Sequence, residues 1–398
     1  MRVQLYPWYV VGVLTLAYTL SFIDRQILNL LVDPIRQDLD ISDTQIGLLQ
    51  GLAFAIFYSV MGVPIARLAD RSNRRNIIAV GIFLWCAMTA ACGLARSYLQ
   101  LFIARVGVGV GEAALSPPAY SIIADYFPIH RRARATGTYS LGVYSGSGIA
   151  MLVGGASIEL ISRLGTIELP LVGLMQPWQL TFMVVGLPGL LVGALMFTVR
   201  EPPRELSGKM GTAVSVSWRE LLEFLSSEKR AFGSIFLGYS LLGIAMIAFL
   251  SWVPTFFIRL HGWDIGTVGL AYGWVLLLFG TSGAVAGGWL SDYLHGRGMD
   301  NAPVKTTILV SALALPFAVA MPLVNNPWLS LALLVPTTFL LSSPVGLSAA
   351  KIQNFTPSRM RAQVTALYLM VVAFTGTGFG PVIVCIFSGK LNTNSCPT

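Results

Sequence analysis

Ala66-Arg67-Leu68-Ala69-Asp70-Arg71-Ser72-Asn73-Arg74-Arg75 is a short, charge-dense stretch set between two long apolar runs. It returns in altered form 222 residues later as Gly288-Trp289-Leu290-Ser291-Asp292-Tyr293-Leu294-His295-Gly296-Arg297. Both read small-x-Leu-small-Asp followed by basic residues. A second echo links Arg132-Ala133-Arg134-Ala135 with Arg359-Met360-Arg361-Ala362, 227 residues apart. Two echoes at nearly one offset point to a duplicated chain. Duplicated bundles are a common architecture of secondary transporters, whose site lies between the halves near the bilayer midplane.

The runs around these loops fit that reading. The 398 residues are 55% hydrophobic and only 11% charged, with a mean hydropathy of +0.71. Soluble domains carry about a quarter charged residues, and disordered chains are poor in apolar ones, so both classes are excluded. Apolar stretches of about 20 residues, each able to cross about 30 Å of hydrocarbon, are read at 8–31, 44–66, 76–95, 98–122, 135–157, 178–199, 231–258, 267–290, 304–323, 328–350 and 362–387. The expectation is an all-α polytopic membrane protein with eleven spans. The first carries Trp8 and Tyr9 at its start and lacks a small-residue cleavage site, so it is read as a retained helix and not a signal peptide.

With the N-terminus placed in the cytoplasm, 19 Lys and Arg fall in inner segments and 5 in outer ones. That bias is the positive-inside rule. It predicts a multi-pass protein of the cell's inner (plasma) membrane. It also accounts for a pI near 9.5 without nucleic acid, because the basic residues are spread over short loops. The longest polar stretch separates a six-helix bundle, 1–200, from a second bundle, 231–398, of five spans and a polar tail. Within the linker, 201–230, Trp218, Leu221, Leu222 and Leu225 are spaced as one helical face, with Arg219, Glu220 and Glu223 turned away. This pattern reads as an amphipathic helix in the membrane interface, or else as an ordinary linker helix.

The Ala66–Arg75 stretch resembles the cytoplasmic signature of the major facilitator superfamily, Gly-x-Leu-Ala-Asp-Arg-x-Gly-Arg-Lys, with Ala66 and Asn73 in place of its glycines and Arg75 in place of its Lys. Arg105-Val106-Gly107-Val108-Gly109-Val110-Gly111 is similar to the superfamily's fourth-helix motif. Phe22-Ile23-Asp24-Arg25, the acidic stretch Asp33 to Asp43, and Gly111-Glu112-Ala113 resemble the spinster subgroup, whose members export sphingosine-1-phosphate or move lysophospholipids. Sugar-acid and aromatic-acid symporters share the first-helix Asp-Arg pair. The resemblance implies two pseudo-symmetric six-helix bundles, so the twelfth helix is expected to be missing from this chain, and it implies that the first and fourth helices adjoin.

Four charges lie inside the spans: Asp24, Arg25, Arg105 and Glu112. A charge at the bilayer centre costs about 2.5–3.5 kcal/mol on insertion scales. Counting along the spans puts Asp24 and Arg105 at similar depth, roughly 6–7 Å from the helix middles, and Glu112 about 10 Å from Arg105 on the same face. Arg105 is therefore expected to pair with Asp24, with Glu112 as a second site deeper in the cavity. The constellation reads either as a static brace or as a proton switch in which protonation of Asp24 frees Arg105. Arg25, turned about 100° from Asp24, is placed second, snorkelling or lining the outer mouth.

Asp70, Arg71, Arg74 and Arg75, joined by Arg134 and Asp125, are candidates for a cytoplasmic gate between the halves, or else solvated topology charges. The resemblance adds that Asp70 would cap a helix of the other half. Glycines at 107, 109 and 111 read as close helix packing. Tyr58, Tyr239, Trp252, Thr337 and Thr375 are candidate cavity residues, aromatic or hydroxylic. No enzyme constellation is found. His130, His261 and His295 lack metal-ligand spacing, no Walker motif is present, and the four cysteines form no C-x-x-C pair. The expected function is proton-coupled transport of an amphipathic, lysolipid-like substrate by rocker-switch alternating access. The alternative is a proton symporter of small organic acids. The proton gradient is the energy source, no cofactor or metal is expected, and the protein is read as a monomer among membrane lipids.

Overall fold

The computed structural model describes residues 5–127, 129–164, 167–169, 173–202, 218–299, 301–345, 347, 352, 356 and 361–391. In chain order the helices are α1 (Leu5–Leu30), α2 (Val32–Leu39), α3 (Asp43–Gln50), α4 (Leu52–Arg71), α5 (Arg74–Cys92), α6 (Tyr98–Glu112), α7 (Ser116–Tyr126), α8 (Ile129–Ser140), α9 (Gly142–Leu164), α10 (Pro177–Gly186), α11 (Gly189–Met196) and α12 (Trp218–Ser227). They continue with α13 (Lys229–His261), α14 (Ile265–Trp274), a π-helical segment Val275–Gly280, α15 (Thr281–Gly296), α16 (Ala302–Ala320), α17 (Pro327–Ser342) and α18 (Arg361–Leu391). A small hairpin, β1 (Ile167–Leu169) antiparallel to β2 (Gly173–Met175), sits between α9 and α10.

Local chemistry sets many of the helix starts. Ser42 and Gln45 form a reciprocal capping box at α3, and Ser97, Asn73 and Asn326 accept backbone N–H groups at the starts of α6, α5 and α17. Asp264 caps α14, accepting the Thr267 N–H at 2.8 Å and its hydroxyl at 2.6 Å. Those two bonds hold the Asp264 carboxyl below the usual carboxylate range. Among the described residues, nine helical spans are long and apolar enough to cross a membrane, with shorter apolar helices at Pro327–Ser342 and Met370–Val384. Large apolar residues such as Val80, Leu99, Ile103, Leu191, Leu237, Ile308 and Leu315 are left exposed along these helices. A lipid environment accounts for them, since hydrocarbon is as good a solvent for Leu as a protein core.

The chain forms two compact units. The first holds the described residues of Met1–Glu205, Leu250–Leu277 and Pro381–Thr398; the second holds those of Leu206–Phe249 and Leu278–Gly380. In the first, α1 runs along α9, α9 along α14, and α6 packs against α4 and α5. Its core is built on Leu14, Phe54, Ile82, Trp85, Val108 and Tyr139. In the second, α15 and α16 pack on α17, and a separate core joins Leu221 with Phe232, Tyr239, Val364 and Tyr368.

The linker helix forms, but Leu221 is 1% exposed and enters that second core, with Phe224 and Leu225 packed against it. Only Leu222 of the described apolar positions is left bare, while Arg219 pairs with Glu223 on the polar face. The helix is thus docked on its own protein.

Candidate functional site

The four intramembrane charges meet in the first unit, though not in the expected pairs. Arg25 and Glu112 form an ion pair, with Arg25 Nε donating to Glu112 Oε2 at 2.6 Å. The Ser21 hydroxyl donates to the same oxygen at 2.5 Å. Arg105 makes no ion pair with Asp24; its Nη1 donates to the Asp24 main-chain carbonyl at 3.2 Å. The Asp24 carboxyl faces α5 beside Thr89 and Trp85. Asp24, Arg105 and Glu112 are all at most 3% exposed.

The direction of side chains on a helix explains the exchange of partners. Helical side chains lean toward the N-terminus of their own helix, so each covers the turn before its Cα. α1 and α6 run in opposite senses. Arg25 therefore reaches back to the level of Ser21, where Glu112 lies, while Arg105 leans away from Glu112 toward the far end of α1. Counting Cα positions along the axis misses a lean of this size.

The Arg25 guanidinium also lies over three aromatic rings, 4.8 Å from Phe22, 4.2 Å from Phe54 and 5.2 Å from Tyr58. Cation–π contacts of this kind stabilise a charge that has left water. The Arg25 side chain keeps 18% exposure whereas Glu112 has none. One edge of the guanidinium is thus committed to Glu112, its faces to aromatic rings, and part of it is open to an incoming anion. Tyr58, expected in the cavity, is one wall of this box. Tyr18 and Tyr139 stack at 4.6 Å nearby, with Tyr120 edge-on to Tyr139.

Among the described residues, four buried polar atoms around these charges meet no partner at hydrogen-bond distance: Glu112 Oε1, Arg105 Nε, Trp85 Nε1 and Thr89 Oγ1. Native structures leave few such atoms unpaired. Of these four on α5 and α6, Arg105 Nε and Trp85 Nε1 can only donate, while Glu112 Oε1 and Thr89 Oγ1 can accept, so together they make a site that suits a bound water. Close helix contact makes it compact, since a Cβ at Gly109 would lie 2.7 Å from the Phe54 carbonyl oxygen and one at Gly111 2.7 Å from the Trp85 backbone nitrogen.

At the Arg74 end of the bundle, three of the expected gate residues find partners within the first unit. Arg74, 3% exposed, donates to Asp125 at 2.5 Å, Ser121 at 2.7 Å and Glu201 at 2.7 Å. The Arg75 backbone N–H also bonds Glu201, at 3.1 Å, and its guanidinium lies over Phe197. All of these partners belong to the first unit, so Arg74, Arg75 and Asp125 brace one bundle. The side chains of Asp70, Arg71 and Arg134 lie outside the described residues.

Of the remaining cavity candidates, Trp252 donates its indole N–H to the Pro381 carbonyl at 3.0 Å. Tyr239 bonds Thr307 at 2.8 Å and packs edge-on to Tyr368 within the second unit. Thr337 and Thr375 return their hydroxyls to the carbonyls of Leu333 and Val371. The hydroxyl or indole group of each of these four is thus committed to a hydrogen bond of its own.

Three features escape the sequence reading. Ser21 is one, although its i, i+4 spacing with Arg25 was the available signal. A three-amide cluster of Gln26, Asn29 and Gln50 is another. The third lies at the α2 end, where Arg259 of α13 binds two aspartates: its Nε donates to Asp33 at 2.8 Å, and Nη1 and Nη2 each donate to Asp43 at 2.8 Å. The acidic stretch was visible, but its cationic partner lies 216 residues away in the chain.

Comparison with known proteins agrees with this architecture. An efflux pump of the same superfamily from Mycolicibacterium smegmatis is 30% identical over 390 residues, covering 96% of this chain and 85% of that protein. A probable L-galactonate transporter of Escherichia coli is 24% identical over 73% of this chain and 62% of its own length. The crystal structure of a bacterial homologue of the human lysosomal transporter Spinster, inward-facing and unoccupied, superposes with a TM-score of 0.84 at 32% identity, covering 98% of this chain and 84% of that one. The family model of the Major Facilitator Superfamily matches residues 14–381. The chain belongs to the major facilitator superfamily.

Proposed function

We propose that this chain is a proton-coupled secondary transporter of an amphipathic, lysolipid-like anion, working by alternating access in the cell's plasma membrane with its N-terminus in the cytoplasm. The observation that carries the reading is the Arg25–Glu112 ion pair, fully buried on the carboxylate side and partly open on the guanidinium side. While Glu112 is ionised it occupies Arg25. A proton on Glu112 removes that charge, and Arg25 is free to bind the anionic head of a substrate. Substrate and proton then favour the same arrangement of α1 against α6, and each biases the other's binding. The aromatic box of Phe22, Phe54 and Tyr58 suits the apolar portion next to such a head group. The lipid-like class rests on the resemblance of Phe22 to Arg25 and Gly111 to Ala113 to the spinster subgroup, in keeping with the likeness to a bacterial Spinster homologue.

A second reading is a proton symporter of small organic acids, with Arg25 binding a carboxylate. The similarity to a protein named as a probable L-galactonate transporter favours it. Flux into proteoliposomes under an imposed pH gradient, with a panel of lysolipids and sugar acids, separates the two. Gradient-dependent movement of lysolipids is the expected result; movement of sugar acids alone transfers the case to the second reading, and no flux of either class under any gradient sinks proton-coupled transport.

A further inference from the structure

Pro254 lies inside α13. Its ring nitrogen carries no hydrogen, so the carbonyl four residues earlier, on Leu250, lacks its helical donor. In a membrane span such a carbonyl needs a donor from elsewhere. Asn29 supplies one: its Nδ2 donates to the Leu250 carbonyl, a long bond of 3.4 Å. The same Nδ2 donates to Gln26 Oε1, and the Asn29 carbonyl accepts from Gln50 Nε2 at 2.9 Å. The Asn29 amide is therefore held at both ends, 4% exposed, with its donor aimed at the proline break. Asn29 also lies one turn beyond Arg25 on α1, in the series Ser21, Arg25, Asn29. Leu250 is, in addition, the residue at which α13 passes from the second compact unit into the first.

We propose that Asn29 is a positioning residue for alternating access: it substitutes for the N–H that Pro254 lacks and ties α13 at its break to the helix that carries Arg25. Motion of α1 on release of Arg25 is then transmitted to α13 through this amide, and the outer end of α13 can swing only when the amide lets go. The inference rests on the alternating-access reading above.

The test uses Thr255, 3% exposed and one turn beyond Leu250. Thr255→Cys, in a chain whose four native cysteines are replaced by Ser, is labelled in proteoliposomes by a membrane-impermeant maleimide added outside, without substrate or pH gradient. Loss of one net hydrogen bond corresponds to roughly fivefold in an opening equilibrium, so Asn29→Ala and the shape-conserving Asn29→Leu are each expected to speed labelling about fivefold. Pro254→Ala restores the helical donor to Leu250, and in that background Asn29→Ala is expected to change labelling less than twofold, roughly the lower limit for one hydrogen bond. Unchanged labelling in Asn29→Leu, or an equal acceleration with and without Pro254→Ala, overturns the proposal. If Asn29→Ala alone fails to fold, the double variant with Pro254→Ala must fold, and its failure overturns the proposal as well. Absent flux in the wild type would count against the transport reading, while the labelling comparison still judges Asn29.

Discussion

Replacing Arg259 with Gln removes a cation that binds both Asp33 and Asp43 through hydrogen bonds. Unit charges 4 Å apart attract by about 4 kcal/mol at an effective dielectric near 20. The side chains of Arg259, Asp33 and Asp43 are 33%, 18% and 37% exposed, so water screens much of that attraction. Exposed pairs are worth about 0.2–1 kcal/mol each. The guanidinium fork engages one carboxylate bidentately and a second through Nε, which puts both pairs at the upper end of that range, about 2 kcal/mol together. At 1.4 kcal/mol per factor of ten, the loss is roughly 30-fold in the equilibrium for parting α13 from α2 and α3. Hydrogen–deuterium exchange of peptides covering 31–45 reads this directly as faster exchange in Arg259→Gln. Arg36, 3.8 Å from Asp33 and 4.0 Å from Asp43, is too loosely placed to substitute. In 1 M salt, where the screening length is about 3 Å, the wild type should move toward the variant while the variant hardly changes. Less than a threefold difference between the proteins, together with salt-insensitive wild-type exchange, would refute the assignment of this clamp.

Glu112→Gln and Asp24→Asn are each expected to abolish the pH dependence of flux while the protein stays folded; an unaltered pH profile in Glu112→Gln would remove the basis for placing the coupling proton there. Arg74→Ala strands Asp125 and Glu201, and breaking a buried pair of this kind costs about 3–5 kcal/mol; denaturant unfolding in detergent should show a loss near the lower figure, because both carboxylates keep about a fifth of their exposure. Asp264→Ala should cost about 1 kcal/mol at the α14 start. Because the Asp264 carboxyl is held below its ordinary value of 3.8, its cap is present above that pH and is lost only as pH falls below it; exchange of the Thr267 amide between pH 3 and 6, corrected for intrinsic rate, checks the sign.

The spans were legible because bilayer thickness dictates their length, and residue counts along them singled out Asp24, Arg25, Arg105 and Glu112 as the charges inside. Their partners were not legible. Which carboxylate an arginine meets depends on the lean of a long side chain and the sense of its helix, and this moved the pair from Arg105–Asp24 to Arg25–Glu112. Leu221 shows a related limit: an amphipathic face is the same pattern whether it meets lipid or the protein's own Phe232 and Tyr368. Arg74 and Asp125 were singled out as members of a gate, but a charge pattern gives no information on which carboxylates an arginine meets, and Glu201 was not among those expected. Arg259 was counted as a topology charge, since nothing local to it announces the two aspartates near the end of α1.

The π-helical segment Val275–Gly280 has a consequence of its own. Each i→i+5 turn makes side-chain direction lag behind the 100° per residue of an α-helix. The small residues of α14, Gly269 and Gly273, face Met151 and Leu152 of α9, whereas Gly283 and Gly287 of α15 face Phe339 and Ser343 near the end of α17. The segment therefore works as a phase shifter between two stretches of one span, each with a glycine seam of its own. Substitution inside it would leave that phase intact, but deleting a single residue would rotate every side chain of α15 by about 100° relative to α14. Length, more than composition, is the constrained property of this turn.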